Sequence, residues 1–413
     1  MSFLRFVIEN RTWLAAGVLI SFISSFGQTF YIAIYAADIR AAHGLSHGEW
    51  GGLYTLGTAS AALLMVWAGM LTDRLRARAL GVMTMAVLAC ACLAMAALPD
   101  GWILGLAVVV FVLRFAGQGM LSHVSMVAMA RWFVATRGRA LAIATLGFAF
   151  GQAILPVSFV ALSGWLGWRG SWVVAAGCLV VAMPLTWALL GRERTPQSIA
   201  AETSVHGMAG RHWSRMDALR HPLFWLVLPA MVGPPAWGTA LFFQQVHLTE
   251  IKGWTMAQFV GLMPLFTAVT VVSTLTAGWA IDRIGTPRLT IGFMLPYAVG
   301  FAILGLAPTI PGAALALVFV GIGNGLHGTV PSAFWAEHYG TQHLGAIKSA
   351  AVGMMVLGSA LGPGITGVLI DAGIGFEVQL MAMAGYFVVA GVLGGLGIRL
   401  VARRSARAAQ VDV

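Results

Sequence analysis

One charged residue, Arg114, stands inside an apolar run that extends over about 102–130. Twelve residues separate it from Trp102, so a helix carries it about 18 Å along its axis, near the middle of a bilayer. A charge at that depth costs at least about 2.5–3.5 kcal/mol and normally faces a wet cavity, where it marks an ion or solute path. The competing reading is structural, with the guanidinium bonded to carbonyls or polar groups of a neighbouring helix. Gln118, Ser122 and Ser125 follow Arg114 at spacings that place all four on one face of a regular helix. His123 falls on the opposite side.

Other polar side chains sit in apolar runs. Ser24, Gln28, Tyr31 and Tyr35 form a stripe in the first run. Asn324 and His327 are one turn apart in the tenth. His327 is read either as a solute donor or proton site, since histidine titrates near neutrality, or as a core histidine bonded to a carbonyl. Pro229, Pro234 and Pro235 surround Gly233 and are expected to break the seventh run. Trp237, Phe242 and Gln244 follow them, as recognition or packing groups. Lys348 opens the eleventh run and snorkels outward or reaches a cavity.

None of the 14 acidic residues lies in the middle of a run; Asp38 and Asp371 are at ends, and so is Glu337. A proton carrier would therefore be His123, His327, Asp38 at a mouth, or the solute's own proton. Arginine without nearby acids suits an anion. Cys90, Cys92 and Cys178 all lie in apolar stretches and form neither a disulfide framework nor a metal site. There is no nucleophile–base pair, metal-spaced cluster or phosphate loop, so no enzyme, cofactor or metal is expected.

The elements that position these residues follow from composition. Of 413 residues, 59% are hydrophobic and 9% charged, against about 25% charged in soluble domains. Lipid must be the solvent for most of the exterior. Twelve spans are expected, at 13–37, 48–72, 79–98, 102–130, 140–163, 170–190, 222–247, 256–281, 288–307, 312–335, 346–371 and 378–400. The first run is too long for a signal-peptide core and is read as a retained helix. The fold class is all-α, with a six-helix bundle over 1–190, a cytoplasmic linker over 191–221 and a second bundle over 222–413. With both termini inside, inner segments carry 20 of the 24 Lys and Arg and outer ones only Arg40, Arg169 and Lys252. That asymmetry explains the net charge of +10 without a nucleic-acid partner.

The halves repeat. Gly69-x-x-x-Asp73-Arg74 returns as Gly278-x-x-x-Asp282-Arg283, offset by 209 residues. Gly117-Gln118-Gly119 returns as Gly323-Asn324-Gly325, offset by 206. Gly151 and Pro156 return as Gly358 and Pro363, offset by 207. Three patches in order at nearly one offset indicate duplication, a recurrent build in transporters. Gly147-x-x-x-Gly151 and Gly358-x-x-x-Gly362 are spaced to let neighbouring helices approach closely.

The loop at Gly69–Arg78, its echo at Gly278–Gly285 and Arg114-x-x-Gly117-Gln118-Gly119 resemble motifs of the major facilitator superfamily. Arg131-Trp132-Phe133, Arg137-Gly138-Arg139, Gly167-Trp168-Arg169, Tyr339-Gly340 and His343-Leu344-Gly345 are similar to the bacterial monocarboxylate and oxalate/formate-type branch. One departure is that the eighth span lacks the basic residue typical of carboxylate carriers in that branch. The resemblance implies a secondary transporter of a small organic anion, a proton-coupled monocarboxylate symporter, working by alternating access as a monomer in the bacterial inner membrane. The alternative is a proton-antiport exporter of drugs or apolar metabolites. Solute ligands would be Arg114, Gln118, Gln28, Tyr31, Asn324, His327, Trp237 and Gln244. Proton coupling would involve Arg114, Asp38, His123 and His327, and gating Asp73, Arg74, Asp282 and Arg283.

Overall fold

The structure is a computed structural model describing residues 3–133, 136–191, 207–210, 213–340 and 343–411. Among them every regular element is helical. Ten helices are long and apolar enough to cross a membrane, and a bent pair makes an eleventh crossing. The longest, Gly138–Leu189, has 52 residues, about 78 Å at helical rise and more than twice the hydrocarbon thickness. Gly167 breaks it at φ 68°, a conformation that favours glycine. Split there, it supplies two crossings and the total is twelve.

We number the crossings α1 (Arg11–Gly27 with Thr29–His43), α2 (His47–Ala68), α3 (Ala77–Ala97), α4 (Ile103–Trp132), α5 and α6 (138–166 and 168–189), α7 (Pro222–Phe243), α8 (Met256–Ile284), α9 (Thr286–Leu306), α10 (Ile310–Tyr339), α11 (Ala346–Asp371) and α12 (Phe376–Val401). Large apolar side chains such as Trp67, Leu275 and Val388 stay exposed on them, as expected where the outer solvent is hydrocarbon.

The chain groups into two compact units. The first is Met1–Glu202 with Phe242–Glu250 and Thr255–Pro264; the second is Thr203–Leu241, Ile251–Trp254 and Leu265–Val413. Most of the expected linker, 192–206 and 211–212, lies outside the described residues. Its last turn is the short helix Arg215–Arg220, started by a capping box between Ser214 and Asp217.

Two expectations about helix continuity are corrected. The first run is not one straight helix. Ser24–Gly27 tightens to a 3-10 turn, Gln28 is extended at φ −87° and ψ 154°, and the two parts meet at 48°. Ser24 Oγ donates to Ser21 O within its own turn, a back-bond that bends helices, and glycine follows at 27. The spacing of Ser24, Gln28, Tyr31 and Tyr35 therefore does not describe one stripe. Conversely, α7 keeps Pro229, Pro234 and Pro235 inside a continuous helix to Phe243, and the turn comes at Gln244. Its prolines leave carbonyls without their usual donors, and neighbouring helices satisfy two of the carbonyls around them.

The small-residue spacings do bring helices close. A Cβ at Gly147 would sit 2.0 Å from Val18 O, and one at Gly151 2.0 Å from Ser25 Oγ. In the second unit a Cβ at Gly362 would lie 2.3 Å from Ala236 O. Thus α5 lies against α1, and α11 against α7, with almost no side chain between.

Candidate functional site

In the first unit the site is built where α1 breaks. A Cβ at Gly27 would meet Leu113 O at 2.2 Å and Gly117 Cα at 2.7 Å. The two helices therefore cross backbone on backbone. At that crossing α4 widens into a π-helical stretch, Arg114–Leu121, of the kind often found at functional sites. The widening shifts Gln118, Ser122 and Ser125 from the regular-helix face that their spacing predicts.

Arg114 is 1% exposed. Its Nε donates to Thr58 Oγ1 at 3.1 Å and its Nη1 to Gly27 O at 2.9 Å. Its Cζ stands 5.0 Å from the centroid of the Tyr54 ring, close enough for a cation–π attraction. The Tyr54 hydroxyl and Thr29 Oγ1 share a hydrogen bond of 2.7 Å. Nη2 has no hydrogen-bond partner, and no carboxylate pairs with the guanidinium among the described residues. A full charge is thus held in a buried place by one carbonyl, one hydroxyl and one ring.

The serines below it button α4 to α1. Ser122 Oγ donates to Ser24 Oγ at 3.2 Å, Ser125 Oγ to Gly17 O at 2.9 Å, and the Ser21 and Ser125 hydroxyls are 2.9 Å apart. Gln28 is buried at the break, and Gln118 is half-buried with its backbone N beside Gly27. Tyr31 is separate. It is fully buried among Phe26, Tyr35, Phe159 and Trp172 in edge-on ring contacts. His123 packs beside Gly69, at the start of the loop that carries Asp73. Asp38 is exposed in the second part of α1. Gln244 is buried, and its neighbour Gln245 donates from Nε2 to Phe30 O at 3.3 Å.

In the second unit a histidine and a tyrosine, not an arginine, reach the carbonyls of the interrupted helix. Pro235 has no N–H to give to the carbonyl four residues earlier, Met231 O. His327 takes that place, with Nε2 3.1 Å from Met231 O. Because a carbonyl only accepts, Nε2 carries the proton and donates. This matches the carbonyl-bonded alternative for His327. Tyr386 donates to Pro229 O at 2.9 Å, and its ring meets Trp237 edge-on at 5.5 Å. Tyr297 donates to Asn324 Oδ1 at 3.3 Å. Lys348 donates to Ser332 Oγ at 3.0 Å.

At the helix ends expected to gate, Arg131 Nη1 donates to Thr72 O at 2.6 Å and so fixes the residue before Asp73. The Asp73 side chain lies outside the description; Arg74 and Asp282 are exposed, and Arg283 leans 5.5 Å from the Trp279 ring. Glu337 accepts from Thr286 in a short hydrogen bond.

Within its unit, the structure brings Arg114, Gln28 and the backbone of Gln118 together, and adds Tyr54, Thr58 and Thr29, which sequence reasoning missed. The four-residue spacing of Tyr54 and Thr58, one face of a helix, was the available signal. Among the described residues no group of His, Cys, Asp and Glu is arranged to hold a metal ion.

The sequence matches the family described as Major Facilitator Superfamily over residues 17–363 and again over 265–412. A "Gentisate transporter" of Corynebacterium glutamicum is 25% identical over 355 residues, 83% of this chain and 76% of that protein. A "Multidrug resistance protein B homolog" of Mycobacterium tuberculosis is 34% identical over 122 residues; the match spans 30% of this chain and only 21% of that relative's length. Among solved structures, an inward-facing, unoccupied bacterial homolog of the human lysosomal transporter Spinster aligns over 95% of this chain and 98% of its own. The TM-score is 0.72 at 15% identity. The nucleoside transporter NupG aligns over 94% and 99%, with a TM-score of 0.69 at 15% identity. At such identities the structural likeness speaks for the fold.

Proposed function

Because the chain belongs to the Major Facilitator Superfamily, we propose that it moves a small organic anion, a monocarboxylate, across the bacterial inner membrane by alternating access with a proton as coupling ion. Both termini are cytoplasmic in this reading, which the 20-to-3 split of basic residues supports.

The observation that carries the reading is Arg114, a buried guanidinium with an unpartnered nitrogen and no counter-ion among the described residues. Leaving a charge uncompensated in a low-dielectric site costs several kcal/mol. Such a cost is retained where the charge has a task. A carboxylate that reaches Nη2 when α1 shifts at Gln28 supplies the missing acceptor and pairs bidentately with the fork. Gln28 and Gln118, on the two helices that cross there, are proposed as further ligands; Gln244, and Asn324, His327 and Trp237 of the second unit, are separately proposed as solute contacts. The gentisate relative, alike over most of the chain, supports an anionic solute. Proton movement falls to the solute itself, to exposed Asp38, or to His123 and His327; removing both histidines is expected to weaken the pH dependence of uptake. Asp73, Arg74, Asp282 and Arg283 are proposed to lock and release the helix ends.

The exporter reading has one structural support, the aromatic box of Phe26, Tyr31, Tyr35, Phe159 and Trp172, which suits an apolar solute. Thermal-shift screening of purified protein separates the two. Gentisate, benzoate, lactate and oxalate are tested against lipophilic cations. A ligand at a hundred times its Kd stabilises by about 2.7 kcal/mol. Stabilisation by a carboxylate is the expected result; stabilisation by cations alone replaces the anion reading with export.

A further inference from the structure

A groove of about 370 Å³ runs along the outside of the second unit between α9 and α12. Its walls are apolar, from Leu295 and Met294 on one side to Val388, Val392 and Leu396 on the other. Leu295 is 66% exposed and Val392 58%, so these side chains meet the surrounding hydrocarbon. The floor is open because Gly391 and Gly395 lack side chains. A Cβ at either would find its nearest neighbour at 3.4 Å, in Met294 and Ile291 respectively. There is room for a β-carbon, and anything larger projects into the groove.

The groove has a length and a polarity. From Phe387 to Arg399 it follows twelve residues of helix, about 18 Å, or roughly one leaflet of a hydrocarbon core about 30 Å thick. Its only charged lining residue, Arg399, closes one end. Arg288 lies one turn before the lining residue Ile291, on the same face of α9. Both arginines are exposed, and neither forms an ion pair among the described residues. The lining holds no acidic residue.

We infer that this groove is a binding site for one anionic phospholipid, with an acyl chain laid along Gly391 and Gly395 and the headgroup phosphate held by Arg399 and Arg288. An apolar trough one leaflet long, closed at one end by Arg399 with Arg288 one turn before Ile291 on the same side, is complementary to that molecule in shape and in charge. Arginine suits the phosphate because its fork donates two parallel hydrogen bonds.

The test uses the full-length protein in detergent, titrated with phosphatidylglycerol or with phosphatidylcholine of the same chains, and reads bound lipid by native mass spectrometry. The wild type is expected to retain one phosphatidylglycerol at least tenfold more tightly than phosphatidylcholine. The Arg288→Ala/Arg399→Ala pair is expected to bring that preference within twofold, and Arg399→Lys to keep part of it. Gly391→Leu/Gly395→Leu is expected to displace both lipids while the melting temperature holds. Glycerophosphoglycerol, the headgroup without chains, is expected not to compete. Equal retention of the two lipids by the wild type, an unchanged preference in the double arginine variant, or competition by the chainless headgroup would each overturn the assignment.

Discussion

The two halves of this chain solve one structural problem with different chemistry. Each has a helix whose backbone pattern is interrupted, α1 at Gln28 and α7 at its prolines. Each lends a side chain from the helix packed against it to a carbonyl of the interrupted one. In the first half the lender is Arg114, reaching Gly27 O; in the second it is His327, reaching Met231 O. The duplication offset of 206 maps Arg114 onto Val320 and Gly27 onto Gly233, so the two devices arose at different positions of the repeat. The imidazole of His327 has its bond to a carbonyl made. The guanidinium of Arg114 keeps an unpartnered nitrogen. In the proposed reading, the difference separates a bond that repairs the backbone from a group kept ready for an outside partner.

The largest effect that tests this contrast lies in the glycines. A Cβ at Gly27 meets Leu113 O at 2.2 Å, whereas at Gly233 it meets the edge of the Tyr386 ring at 2.5 Å. A carbonyl in a packed helix cannot move aside, but a ring can turn. Gly27→Ala is therefore expected to cost about 3 kcal/mol and Gly233→Ala about 1 kcal/mol, read by thermal unfolding in detergent. Equal losses would mean that the first crossing is no tighter than the second.

The next effect is a double-mutant cycle. His327→Leu strands Met231 O and is expected to cost about 1–3 kcal/mol. Pro235→Ala restores an N–H four residues after Met231. In that background the same His327→Leu change is expected to be nearly silent, a coupling of about 1–2 kcal/mol. Additive costs would show that the stability lost with His327 does not come from its bond to Met231 O.

The smallest effect is in the serine buttons. Ser125→Ala removes bonds to Gly17 O and to Ser21 Oγ and is expected to cost about 1 kcal/mol without changing solute preference. A change in which solutes stabilise the protein would instead place Ser125 in the pathway.

The crossings, their number and the duplication could be read from the sequence, because apolar length and glycine spacing are local properties of the chain. The close approach at Gly147 and Gly151 was legible for the same reason. The setting of Arg114 was not. It depends on α1 breaking at Gln28, which a periodicity count treats as one more polar residue in a helix. It also depends on the π-helical stretch at Arg114–Leu121, which forms where Gly117 meets Gly27 across the unit. Tyr54 and Thr58 matter only because that crossing turns Arg114 toward them. In α7, the prolines suggested a break, but the neighbouring Tyr386 and His327 satisfy carbonyls around them and the helix runs on.

Arg114→Leu tests the contrast between the halves most directly, with unfolding temperature and carboxylate uptake into proteoliposomes measured on the same preparation. Removing a buried charge that lacks a counter-ion relieves several kcal/mol, against about 1–3 kcal/mol for stranding Gly27 O. The expected result is a protein that melts at or above the wild-type temperature and transports nothing. A variant that melts lower yet still takes up carboxylate in proportion to its folded fraction would contradict it, and would make Arg114 a backbone clasp like His327.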